Sequence, residues 1–257
     1  MRLRLDRPPA PNKTRGSLSW VYSQLDGRID LQRMTPNAPD ELLRGLFSPL
    51  VASVETRATE PDESLLWPEE WAAIEHAVAG RRRDYILGRR CARLAMTELG
   101  VDPVPPLPGD KRQPLWPPEV VGAITHTEGY AAAAVARADN RSGVGIDVEP
   151  NAPLPGNVIT RIARPEEVER IETQANIPGI PSLDRLLFCA KEATYKVWYP
   201  LAECWLGYLD ASVTADPEEN TFEVEILVDG PTTKLTGRYA ADEDYIVTAI
   251  ELSRQSN

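Results

Sequence analysis

The chain has 257 residues, 42% of them hydrophobic, and a formal net charge of -11. That length allows a sizeable core, as one domain or two smaller lobes, while the acidic balance argues against a general nucleic-acid binder. No apolar run approaches the roughly 18 residues a membrane span needs, and the N-terminus MRLRLDRPPAP has no apolar signal-peptide core.

Residues 1–45 hold proline and polar clusters with no sustained period and read as a loosely ordered extension, with Met34 as an alternative start. Phe47 to Val54 suits a first strand. Trp67-Pro68-Glu69-Glu70 opens a helix, with proline and acids in its first turn. Trp71, Ile74 and Val78 follow at helical spacing, Arg81 to Leu99 continues helically, and Gly100 supplies a C′ stop. Val101 to Pro118 is a proline-rich loop. Val121–Thr125 and Ala131–Ala136 read as strands joined by the turn His126-Thr127-Glu128-Gly129, and Gly143–Val148 as a third strand. Pro165–Ala175 and Leu183–Trp198 read as helices, the second ended by Pro200. Phe222–Val228, Thr233–Tyr239 and Tyr245–Leu252 alternate as strands do. There is no sequence repeat. The mixture is α+β, in two halves, residues 46–140 and 141–257, each with helices and about three strands. Cys91, Cys189 and Cys204 lack CxxC spacing and cannot all pair, which suits reduced thiols in the cytoplasm. His76 and His126 are the only histidines, too few to suggest zinc.

The chemistry concentrates in acids. Asp147 and Glu149 in GVGIDVEP are two apart, so a strand there puts both carboxylates on one face. Val148 between them points into the core. Glu192 in FCAKEATYK projects from a helix beside Lys191 and one turn before Lys196. Three converging carboxylates suit a hard cation such as Mg2+, and adjacent lysines suit a polyphosphate. Taken on spacing alone, Glu192 and Lys196 also fit a surface ion pair. A lone His126 fits a structural role, and the Arg81–Arg93 cluster a solvated helix face. Tyr195 and Trp198 read as core.

GVGIDVEP followed by FCAKEATYKVWYP resembles the two signature blocks of the Sfp-type 4′-phosphopantetheinyl transferases. AITHTEGYAAAAVA is similar to that family's Ser/Thr-His strand-turn, and RRRDYILGRRCARLAM to the N-terminal helix of the enterobactin-synthetase (EntD-like) branch. The resemblance runs from about Val51 to Leu252. It implies a pseudo-twofold pair of similar α/β lobes with coenzyme A in the cleft between them: the first lobe (46–140) for nucleotide contacts, the second (141–257) for the metal and the transferase signature. It implies transfer of the phosphopantetheine arm of coenzyme A to a serine of an apo acyl or peptidyl carrier protein of fatty-acid, polyketide or nonribosomal-peptide assembly. Adenosine 3′,5′-bisphosphate is the other product.

By match to the family's motifs, Asp147, Glu149 and Glu192 bind Mg2+, with Glu192 as ligand, general base or both. Asp147, Glu192 and Lys196 form the catalytic set. Arg81, Arg89, Lys111, Thr125, His126, Asp147, Lys191 and Lys196 contact coenzyme A, with the 3′-phosphate at His126. Arg82 replaces Arg81 if the register slips by one. Pro108 stands where the family has a lysine, leaving Lys111 or Arg112 to substitute, and Val148 stands where the family often has an acid or a small residue. The segment from Asn157 to Ser182, with Arg161, Arg164 and Arg170, is the expected carrier-docking surface. The expected enzyme is a monomer with no nucleic-acid or membrane partner. Two other readings use the same residues: a metal-dependent phosphohydrolase with water as nucleophile, and a non-catalytic coenzyme A or carrier-binding module.

Overall fold

The hairpin of strands β2 (Val120–Thr127) and β3 (Tyr130–Arg137) turns on Gly129, whose φ of 77° is open to a residue without a Cβ. The computed structural model describes residues 41–173, 180 and 182–254. Most of the expected 1–45 extension, Met34 included, lies outside the described residues. Residues 41–45 do not: Leu43 is fully buried, and the amides of Leu42 and Leu43 donate to the Glu55 carboxylate at 2.9 and 2.6 Å.

Strand β1 (Val51–Thr56) pairs with β3, giving a three-stranded antiparallel sheet of order β1-β3-β2. A short helix α1 (Pro68–Trp71) precedes the long α2 (Ala79–Glu98), which lies on this sheet. The continuous helical face expected through Val78 is broken: Ile74 is buried, whereas Val78 is extended and 76% exposed as the residue before α2. The α2 stop is as expected. Gly100 has φ 72°, its N–H donates to Thr97 O at 3.0 Å, and Val101 N–H donates to Met96 O at 2.9 Å while the two side chains share one core cluster. That is a Schellman motif with its apolar contact. The sequence YAAAAVAR explains β3. Ala132, Ala134 and Ala136 meet the core on one side, and Ala133 and Val135 meet the α2 side, so small side chains let both faces close.

Strand β4 (Arg141–Pro150) opens a five-stranded antiparallel sheet of order β4-β8-β7-β6-β5, with β5 (Ala211–Asp216), β6 (Thr221–Ile226), β7 (Lys234–Ala241) and β8 (Tyr245–Ser253). Between them come α3 (Ile159–Ile162), α4 (Pro165–Thr173) and α5 (Leu183–Ala202), the last lying across β4 and β8. The α+β class holds, with three strands in one sheet and five in the other. β5 carries too little apolar alternation (ASVTAD) to have been read from sequence. Pro200 does not end α5; it sits inside the last turn, and the helix stops at Glu203, which takes φ 52°. A proline there costs one backbone hydrogen bond near a terminus that the buried Val197–Trp198 turn already anchors.

β4 is the shared wall. Val144, Ile146 and Val148 enter the cluster with Ala132, Ala134 and Ala136. Gly143 and Gly145 face α5, and a Cβ on Gly145 would run into the Ala193 carbonyl oxygen and Val197. We expect Gly145→Ala to lose about 1–3 kcal/mol of stability, read by urea unfolding. An unchanged midpoint would show that α5 does not lie this close to β4.

Candidate active site

The face of β4 that carries Gly145 also carries Asp147 and Glu149, as the period of two requires, and α5 meets it with cations. Lys196 Nζ donates to Asp147 Oδ1 at 2.8 Å and to Ile146 O at 2.9 Å, and Arg185 donates to Glu149 Oε2 at 2.6 Å. Val148 between them is buried in the opposite core, as expected. From β2, Thr125 Oγ1 donates to the same Asp147 Oδ1 at 2.9 Å and accepts from Val148 N–H at 3.3 Å. The second oxygen, Asp147 Oδ2, is buried with no hydrogen-bond partner among the described residues. A buried carboxylate oxygen left unpaired calls for a donor or a cation to explain it. Burial raises the pKa of Glu149 above the usual carboxylate range, the charge on Asp147 raises it further, Arg185 works against both, and Glu192 adds a smaller push upward.

Glu192 on α5 accepts a hydrogen bond from the Tyr208 hydroxyl. The three acids therefore share one electrostatic neighbourhood, each held by a different donor. Among the described residues no three histidine, cysteine or carboxylate side chains stand together closely enough to hold a metal ion as placed.

Lys191 is a correction. Expected at a phosphate, its ammonium is buried and donates to Glu167 Oε2 at 2.7 Å, Tyr208 O at 2.7 Å, Ile162 O at 2.8 Å and Ala211 O at 3.0 Å. Three N–H donors shared among four oxygens leave none for a ligand. Thr125 likewise is 2% exposed, with its hydroxyl committed to Asp147 rather than open to a phosphate. His126 lies in β2 paired with Ala131, not in the turn. Arg81 donates to its Nε2 at 3.2 Å, so that nitrogen accepts and the neutral ring carries its proton on Nδ1, 3.5 Å from Asp84. Burial lowers the His126 pKa; Asp84 opposes this, and Lys196 and Arg81 reinforce it. Arg82 turns the other way, over the Trp71 ring and to Glu63. The cluster is solvated only in part: Arg81 is exposed, but Arg93 is buried against Glu70, and Arg89 is buried over the Tyr85 ring with its Nε unpaired among the described residues. Burial lowers the Arg89 pKa.

A cleft of about 660 Å³ runs between the 111–116 loop, β2 and α5, with Lys111, Arg112, Trp116, Glu192, Tyr195 and Lys196 on its walls. Its size suits a small-molecule site. Tyr195 thus lines the cleft and packs at a tilt against the Tyr199 and Trp205 rings, whereas Trp198 is core. In the expected docking segment, Arg164 is tied to Glu166 and Leu209 O, Arg170 to Ser212 and Val213 O, and Arg161 is exposed. Residues 174–179 and 181 of it lie outside the described residues. Arg185 and Tyr208 were not foreseen. Arg185 is seven residues before Glu192, on the same helical face, and could have been. Tyr208 arrives from a 3-10 turn with no sequence signal.

Carboxylates on β4 and α5 beside a cleft that carries Lys111, Arg112 and Lys196, on a two-sheet α+β frame, have the make-up of an enzyme site. The family model described as "4'-phosphopantetheinyl transferase N-terminal domain" matches residues 69–136, and that of the "4'-phosphopantetheinyl transferase superfamily" matches residues 143–250. The chain belongs to the 4′-phosphopantetheinyl transferase superfamily. It is 44% identical over 195 residues to 4′-phosphopantetheinyl transferase PptT of Mycobacterium tuberculosis, covering 72% of this chain and 85% of that one. It is 42% identical over 204 residues to 4′-phosphopantetheinyl transferase Svp of Streptomyces mobaraensis, covering 77% and 83%. Enterobactin synthase component D of Escherichia coli (strain K12) is 35% identical over 141 residues, covering 52% and 63%.

The Lys191 assignment gives a direct expectation. Lys191→Met leaves Glu167 buried with its ion-pair partner gone and should cost about 3–5 kcal/mol, measured by denaturant unfolding. A variant that kept its stability and lost only affinity for coenzyme A would return Lys191 to the phosphates.

Proposed function

We propose that this chain transfers 4′-phosphopantetheine from coenzyme A to a serine hydroxyl of an apo acyl or peptidyl carrier protein. The observation that carries the reading is the unpaired, buried Asp147 Oδ2 in a carboxylate group beside a cation-lined cleft. In the step proposed, the serine oxygen bonds to the phosphorus that carries the pantetheine arm. The bond from that phosphorus to the bridging oxygen breaks, and adenosine 3′,5′-bisphosphate leaves with the electron pair. Glu192, on the cleft wall, takes the serine proton. Lys196 faces the same cleft and balances charge on the phosphates while holding Asp147.

The two halves divide the work in this reading. Residues 46–140 supply nucleotide contacts through Arg81, Arg89, His126 and Lys111, and residues 141–257 supply the acids. Arg81 and His126 already touch, and Arg89 is a buried cation whose Nε has no hydrogen-bond partner among the described residues, a donor an incoming phosphate would take.

The chemistry of the donor set suits Mg2+: an orphaned carboxylate oxygen on Asp147, and Glu149 pushed up by burial and by the charge on Asp147, are groups that a hard cation stabilises once the side chains draw together around it. Asp147, Glu149 and Glu192 would hold it, and it would neutralise charge on the coenzyme A pyrophosphate. We place the reaction in the cytoplasm, by a monomer, with neither nucleic acid nor membrane as partner. No helix among the described residues is long and apolar enough to cross a membrane.

Incubating the protein with Mg2+, coenzyme A and an apo carrier domain should add the mass of phosphopantetheine to the carrier. Asp147→Ala and Glu192→Ala should abolish the addition while remaining folded, and Arg89→Ala should mainly weaken coenzyme A binding. Product released from coenzyme A without a carrier would favour a phosphohydrolase instead.

A second expectation follows from Glu149. Its folded pKa lies above the unfolded one, so it favours the folded state while protonated, and that contribution is lost as pH rises through the folded pKa. A bound cation offsets the cost of the charged form. Mg2+ should therefore raise the melting midpoint at about pH 7 and much less at about pH 4, and Asp147→Asn should remove the gain. An equal gain at both pH values would place the ion elsewhere.

A further inference from the structure

Glu192 projects from α5 over the cleft, and what fixes its carboxylate comes from outside the helix. The Tyr208 hydroxyl donates to Glu192 Oε1, and the Tyr208 ring lies against Phe188, one turn earlier on α5, at a centroid distance of 5.9 Å. Tyr208 begins a 3-10 turn, Tyr208–Asp210, whose Asp210 carboxylate accepts from Gly207 N–H at 2.8 Å. The turn is pinned from beneath. Lys191, the residue before Glu192, donates to Tyr208 O at 2.7 Å and Ala211 O at 3.0 Å, and pairs with Glu167 at 2.7 Å. Glu167 in turn accepts from Val213 N–H at 2.7 Å and from Arg164 N–H at 2.8 Å. Adjacent residues of one helix thus point to opposite ends of one connection: Lys191 downward into a buried ion pair that sets the 208–211 backbone, Glu192 upward to the side chain that backbone delivers.

We propose that Tyr208 is a positioning residue for Glu192, aimed by the buried Lys191–Glu167 pair. The inference rests on the reading of Glu192 as the group that takes the serine proton. A glutamate with three free torsions visits many orientations, and a donor on one oxygen selects one of them and leaves the other oxygen to face the cleft. This also explains why a lysine beside the catalytic acid is buried rather than offered to the substrate. Its contribution reaches the site through a tyrosine distant in sequence.

Two measurements on the full chain test it. In the first, Tyr208→Phe, Glu192→Ala and the double variant are unfolded by denaturant without divalent cation. The expected result is non-additivity, with Tyr208→Phe costing much less once Glu192 is Ala and no acceptor remains. Additive losses would mean the hydrogen bond is absent and overturn the proposal. In the second, turnover is followed with coenzyme A and an apo carrier domain. Tyr208→Phe should lower kcat between about tenfold and about a hundredfold, with KM for coenzyme A within about twofold of the parent. A raised KM at constant kcat would assign Tyr208 to substrate binding and overturn it. An unchanged kcat in Tyr208→Phe beside an inactive Glu192→Gln would overturn the positioning role while leaving the transferase reading intact. Full activity in Glu192→Gln would remove the role of Glu192 and the inference with it.

Discussion

Two-sided burial of β4 is the constraint on which the site depends. One face, Val144, Ile146 and Val148, belongs to the core shared with the alanines of β3; the other, Gly143, Gly145, Asp147 and Glu149, belongs to α5. A slip of one residue would drive two carboxylates into an apolar cluster and expose three aliphatic side chains to the helix. The register is therefore over-determined by burial. Close packing at Gly145 then does the rest, because it brings α5 near enough for Lys196 and Arg185 to reach the two acids.

Burying Asp147 is costly, and the structure shows how the cost is met. One oxygen collects a hydroxyl from β2 and an ammonium from α5, so the carboxylate ties β2 of the three-stranded sheet and helix α5 to β4 of the five-stranded one. The other oxygen has no donor among the described residues. An unpaired buried acceptor costs about 1–3 kcal/mol, and in the proposed reading a ligand at that oxygen offsets the cost.

The acids were legible in the sequence because a strand's period of two is rigid and GVGIDVEP leaves little doubt about which residues share a face. The helix stop at Gly100 was legible for a similar reason: local geometry dictates it. What was not legible depended on tertiary distance. The Lys191 side chain could equally have served a phosphate or a carboxylate, and only the arrival of Glu167 and the carbonyls of Ile162, Tyr208 and Ala211 decides between them. Arg93 looked like one arginine among many on a solvated face until Glu70 came to lie beneath it. Pro200 looked like a helix end, and a well-packed last turn overrode it.

The two lysines five residues apart on α5 show how one helix serves both stability and chemistry. Helical rotation separates them: Lys191 points toward α4 and β5, where it is fully enclosed, and Lys196 points toward β4 and the cleft, where it is partly exposed. Burial lowers the Lys191 pKa, and Glu167 opposes that shift, which makes the pair worth keeping only as a complete unit. Lys196 has no such enclosure. It bonds one acid and one carbonyl and still faces solvent, so it can shift its interactions when an anion enters. The enclosed cation fixes the frame, and the partly exposed one stays on the cleft wall, where the proposed reading has it meet the substrate.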